Sequence, residues 1–201
     1  MKKLKSIRVR ILLGVIVPIV IASTIFGIFL NYTTNSLLNN HVVPRYEESL
    51  ELMLEKYQSL IDEDLINEAK TDTAIYEQLK SISDEFQNEF ELENVYIMSK
   101  VDGEEVILVL ANADEYLTSL AFTEDQAAAL QTEEVIVSDI YEDDYGNHIS
   151  TFIQIPNTDS VLGLDADADF ILGLKKENMF MIFTVLAVII LMVLLVLKQI
   201  V

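Results

Sequence analysis

His148-Ile-Ser-Thr-Phe-Ile-Gln-Ile-Pro-Asn-Thr-Asp-Ser-Val-Leu-Gly-Leu164 is the stretch on which the fold turns. Its first eight residues, His148–Ile155, are dominated by β-branched and aromatic side chains and read as a strand. Pro156-Asn-Thr-Asp159 is a turn cluster, and Val161–Leu164 reads as the next strand. A strand has a period of two, so His148, Ser150, Phe152 and Gln154 share one face and Ile149, Ile153 and Ile155 the other. The isoleucine face needs a layer of helices against it.

The upstream sequence supplies that layer. After Pro44 an apolar stripe of Leu50, Leu54, Tyr57, Ile61 and Leu65 recurs at spacings of 4, 3, 4 and 4, which is a helix face. It predicts one tall helix over 46–69, about 36 Å long, with part of the stripe available to a second subunit. Ile75, Leu79, Ile82, Phe86 and Phe90 repeat the spacing and predict a helix over 71–92. The period then changes. Asn94–Ser99 and Glu105–Ala111 read as strands joined at Asp102-Gly103, a hairpin signal. Thr123-Glu-Asp-Gln126 opens a short helix with a capping box. Glu134–Asp139 reads as a third strand, and Asp143-Asp-Tyr-Gly146-Asn147 as a turn. The sum is an α+β domain with an antiparallel sheet of about five strands. From Asp167 the pattern is helical again.

This domain lies between two apolar runs. Ile11–Leu30 and Met179–Leu197 carry no charge, and each is long enough to cross a bilayer as a helix. The first is too long for a signal-peptide core and lacks a clean cleavage site, so it reads as an uncleaved anchor. Lys2, Lys3, Lys5, Arg8 and Arg10 precede the first run and Lys198 follows the second. Such flanks stay cytoplasmic. The expected organisation is a cytoplasmic basic segment 1–10, a transmembrane helix 11–30, an extracellular domain 31–178, a transmembrane helix 179–197 and a cytoplasmic segment 198–201. Paired crossings and a tall helix suggest a parallel homodimer.

Charge and composition exclude several functions. Segment 31–178 holds 7 basic against 33 acidic side chains, a formal −26. That surface attracts cations and repels nucleic acid. With no cysteine there is no disulfide, thiolate metal site or thiol nucleophile. Asp165-Ala-Asp-Ala-Asp169 starts like a calcium loop, but Phe170 and Lys176 stand where that loop needs Gly and Glu. No metal or cofactor is expected. Neither a nucleophile elbow nor a phosphate loop is present, so the chain is not expected to be an enzyme.

Phe122-Thr-Glu-Asp-Gln-Ala-Ala-Ala-Leu130, Val135–Tyr141, Asp144-Tyr-Gly146, Ser150-Thr-Phe152 and Leu162-Gly-Leu-Asp165-Ala-Asp167, in that order, resemble the sensor region of bacterial methyl-accepting chemotaxis proteins. The likeness is best over 120–170, and the layout of 1–201 follows it. One departure is the order Ile153-Gln-Ile-Pro156, where the family has a Pro-Ile pair soon after Ser-x-Phe. The resemblance implies a single Cache (PAS-like) domain ahead of a HAMP linker, with chemotaxis signalling as its function. A histidine-kinase or cyclase sensor, or a ligand-independent regulatory subunit, are the alternatives. In a PAS-like domain the ligand sits between the sheet and the loops crossing it. The polar face of His148, Ser150 and Phe152, with Tyr141 and Asp165 on neighbouring strands, is then the candidate ligand site; a solvated outer face is the other reading. Asp165 suits a cationic amine, while Tyr141 and His148 can donate to an acid, and Lys and Arg are nearly absent from 101–174. The expected ligand is therefore neutral or amine-bearing.

Overall fold

The computed structural model describes residues 2–132, 134–143 and 146–200. It divides into two units, 44–169 and the two terminal segments 1–43 with 170–201.

In the first of these the described elements are α2 (Val43–Gln58), α3 (Glu63–Ala69), α4 (Thr73–Phe90), β1 (Asn94–Val101), β2 (Glu104–Leu110), β3 (Thr118–Ser119), α5 (Glu124–Ala129), β4 (Ile136–Val137), β5 (Tyr141–Asp143), β6 (Gly146–Gln154) and β7 (Ser160–Asp167). The strands form one antiparallel sheet in the order β3-β2-β1-β7-β6-β4, with β5 also paired to β6. The sheet has seven strands, not about five. The extra ones are edge pieces of two or three residues, too short for alternation to be legible. The strand expected over Glu134–Asp139 is ordered as β4 only at Ile136–Val137. The expected turn at 143–147 falls partly outside the described residues.

The tall helix expected over 46–69 is broken. Helix α2 ends at Gln58, and Asp62 caps α3 by accepting a hydrogen bond from the Leu65 N–H at 2.8 Å. An Asp inside an apolar stripe is thus a start signal. Asp72 caps α4 in the same way through Ala74 N–H. The hairpin between β1 and β2 turns where expected, with φ of +52° at Asp102 and +86° at Gly103, the paired left-handed geometry of a type I′ turn. Thr123 and Gln126 form the capping box of α5.

Helices α2 to α4 cover one face of the sheet. Leu50, Leu54 and Tyr57 from α2, Ile61 from the break after it, Ile66 from α3, and Leu79 and Phe86 from α4 pack on Val95, Ile97, Leu108, Ile149, Ile153, Ile155, Leu162 and Leu164. The isoleucine face of β6 is therefore the helix-packed face. The stripe on α2 lies in this core and is not the surface for a second subunit that its spacing suggested. Within the core the Tyr57 hydroxyl is bonded to Ser83 Oγ at 2.5 Å, and burial holds its phenol well above its usual pKa.

The other unit consists of α1 (Lys2–Leu37), a π-turn at Leu38–Val42 and most of α6 (Asp169–Ile200). Pro44 has no N–H to bond back to Asn40. The turn before it is wide, and Val43 N–H bonds to the Leu38 carbonyl. Among the described residues one helix, Gly14–Gln58, is long and apolar enough to cross a membrane, and its most apolar window, mean hydropathy 2.2, is not buried by protein. The hydroxyls of Ser23, Thr24 and Thr33 donate to carbonyls four residues back at 2.8–2.9 Å, which satisfies them without water. The stretch Met179–Leu197 lies within α6, and part of it falls outside the residues whose side chains are described.

Candidate functional site

The second face of the sheet is buried too, by a thinner layer. Tyr96, Met98, Phe152 and Val161 pack on Ala129 of α5, with Phe122, Leu130 and Ile136 around them. This excludes the solvated outer face. Ser150 is wholly buried, and His148 and Asp165 are 2% and 8% exposed. Polar side chains that deep have to be matched with partners.

The register brings them together. Strand β7 is central, and its residues Val161–Asp165 have a neighbour on both sides. Asp165 lies between Asn94 of β1 and Ser150 of β6, and Gly163 lies between Tyr96 and Phe152. Asp165 accepts hydrogen bonds from Ser150 Oγ at 2.6 Å and Tyr96 OH at 3.0 Å on one oxygen, and from Asn94 Nδ2 at 3.1 Å on the other. All three donors are neutral. Among the described residues no Lys or Arg pairs with this carboxylate. Burial raises its pKa above the ordinary value, partly offset by the three hydrogen bonds and by the nearby His148. Burial and the Asp165 charge push the Tyr96 phenol well above its usual value, so it stays a donor.

Gly163 makes the cluster possible. A Cβ at this position would lie 2.9 Å from Tyr96 Cδ2 and closer still to Cε2 and Cζ. The missing side chain lets the Tyr96 ring lie across β7 and carry its hydroxyl to Asp165. Glycine inside a strand marks such a close approach.

Toward the other end of β6, Tyr141 OH is bonded to Ser150 Oγ at 2.8 Å. The Tyr141 ring stands 5.7 Å from that of His148, its register partner. His148 Nδ1 bonds Glu93 Oε2. Phe152 lies 6.5 Å from the Tyr96 ring, centroid to centroid. All five residues singled out from the sequence therefore lie on this face. Tyr141, Ser150 and Asp165 form one hydrogen-bonded chain, Phe152 supplies an apolar wall, and His148 flanks the chain. Sequence reasoning missed Asn94, Tyr96 and Glu93. The signal for the first two was polar residues at alternate positions of β1, on the face that β6 left polar.

The same strand leads into α6. Tyr46 OH donates to the Asp167 carbonyl at 3.0 Å, and Ala168 N–H to the Asn147 carbonyl at 2.8 Å. Asp167 Oδ1 accepts from Asp169 N–H at 2.6 Å, capping the start of α6. Asp165 is thus two residues from a strand end that is tied to α2 and β6.

No family model and no curated protein matches this chain by sequence. Solved structures do match it by shape. The ligand-binding domain of the Campylobacter jejuni chemoreceptor Tlp3 in complex with L-valine superposes with a TM-score of 0.51 at 16% identity, covering 76% of this chain and 65% of that one. The sensor domain of the V. cholerae histidine kinase DctB gives 0.52 at 10% identity, covering 77% and 60%. The fold is the one those two domains share. This chain spans about 65% or less of the length of those sensor structures.

Proposed function

We propose that this chain is the sensing part of a bacterial transmembrane signalling receptor, in which residues 31–178 stand outside the cell between crossings at 11–30 and 179–197. The bound molecule is small, neutral or amine-bearing, and held by Tyr141, His148, Ser150, Phe152 and Asp165. One observation carries this reading: Asp165, a buried carboxylate with neutral donors only, lies on the thinly covered face of a sensor fold. Tlp3 is named as binding L-valine and its relatives, which supports a small organic ligand here. Likeness in shape to Tlp3 and to DctB is nearly the same, with TM-scores of 0.51 and 0.52, so it supports a chemoreceptor output and a kinase output alike.

Binding reorganises the Asp165 cluster, and β7 transmits the change to α6 two residues on. The test is thermal melting of the full chain in detergent against a panel of small metabolites. A sensor is stabilised by its ligand in proportion to RT ln(1 + [L]/Kd). A scaffold that binds nothing melts at the same temperature throughout.

A further inference from the structure

Resting on the reading of this face as a ligand site, we infer that it accepts cationic amines lacking an acid group and rejects α-amino acids. A zwitterion brings two charges, and the site has a counter-charge for one. Asp165 takes three of the roughly four hydrogen bonds a carboxylate accepts, and one position on Oδ2 remains for an ammonium donor. Because the three donors in place are neutral, the carboxylate charge is solvated but not cancelled.

Nothing comparable faces a ligand carboxylate. Between Lys100 and Lys175 the sequence has no Lys or Arg, whereas residues 101–174 hold 17 Asp and Glu. That stretch includes α5, β4 to β7 and the whole layer over this face, and Glu133, Asp144 and Tyr145 within it add no base. Lys56 and Lys80 belong to α2 and α4 on the other face and pair with Glu89 and Asp84; Lys100, at the far end of β1 from Asn94, lies over the Phe122 ring, 5.6 Å from its centroid, and is paired with Glu105 at 3.6 Å. His148 faces Glu93, so a positive charge on it is offset there. The N-terminus of α5 is occupied by its own capping box and carries Glu124 and Asp125. A carboxylate entering here would be desolvated in a negative field with no partner.

The experiment uses the full chain in lipid nanodiscs, titrated calorimetrically with two matched trios. Isobutylamine, L-valine and isovalerate share an isobutyl body. Phenethylamine, L-phenylalanine and 3-phenylpropanoate share a benzyl body. The amine of at least one trio is expected to bind tenfold or more tightly than its amino acid, with the acid silent. Asp165→Asn should remove that preference, and Phe152→Ala should weaken the amine. Equal or tighter binding of the amino acid, still weakened by Phe152→Ala, overturns the amine assignment and leaves the ligand site standing. Amine binding indifferent to Asp165→Asn also overturns the assignment. If no compound of either trio shows binding that responds to Phe152→Ala or Asp165→Asn, the ligand-site reading itself fails.

Discussion

Gly163→Ala tests the geometry of the cluster most sharply, because the structure says what its methyl group would meet. The new Cβ would sit inside contact distance of three atoms of the Tyr96 ring. Tyr96 is 9% exposed and packed among Phe152, Met98 and Ala129, so its ring has no free direction in which to move. Turning it away breaks the bond to the Asp165 carboxylate, about 1.5–3 kcal/mol for a charged acceptor. Overpacking adds about 1–3 kcal/mol. A loss of about 2.5–6 kcal/mol in all is expected, read as a fall of the far-UV circular dichroism melting point by roughly 10 °C or more. The control is a double-mutant cycle with Tyr96→Ala. With the ring gone, Gly163→Ala should cost nothing, since Ala is the better strand residue. A coupling above about 1.5 kcal/mol is the expected result. If Gly163→Ala is equally harmful with and without the tyrosine, the close approach is not the reason for the glycine.

Thr151 Oγ1 is buried on the helix-packed face without a hydrogen-bond partner, so Thr151→Val should stabilise by about 1 kcal/mol in denaturant titration. Ile153→Ala should open a cavity in the main core and destabilise by about 2–5 kcal/mol, measured by the same titration. Asp165→Asn should raise the melting point at neutral pH by on the order of 3 °C, equivalent to about 1 kcal/mol. The sign follows from the raised pKa of Asp165: the native state holds this proton more tightly, so stability from the protonated carboxyl is full at low pH and is lost as pH rises through the folded value. The advantage of the Asn variant should therefore shrink as pH falls through that raised value and be gone below the ordinary carboxylate range, which parallel melts across pH will measure.

Much of the architecture was legible because long periodic segments constrain it. The stripe Leu50–Tyr57, the alternation of His148–Gln154, the Asp102-Gly103 turn and the Thr123 capping box each correspond to an element. What was not legible has local causes. The break after Gln58 hinges on Asp62 serving as a cap, and an Asp on a helix flank looks the same in sequence when it is merely solvated. Strands β3, β4 and β5 are shorter than one full alternation and depend on β2 and β6 for pairing. The candidate site was half legible. Tyr141, Ser150 and Asp165 stood out as polar groups on strands, whereas the contribution of β1 required the register. Only when Tyr96 is paired with Gly163 does the ring reach Asp165. Pairing across β7 is a long-range fact that no window of sequence contains.

Hydrogen exchange of the full chain, with and without the amine that binds best, tests the central claim most directly. If the face around Asp165 holds the ligand, slowed exchange is expected in β1 near Tyr96, in β6 from His148 to Phe152, in β7 around Asp165 and in α5, with α2 to α4 little changed. Protection confined to α2 to α4, or a ligand that protects no part of the sheet, would contradict it.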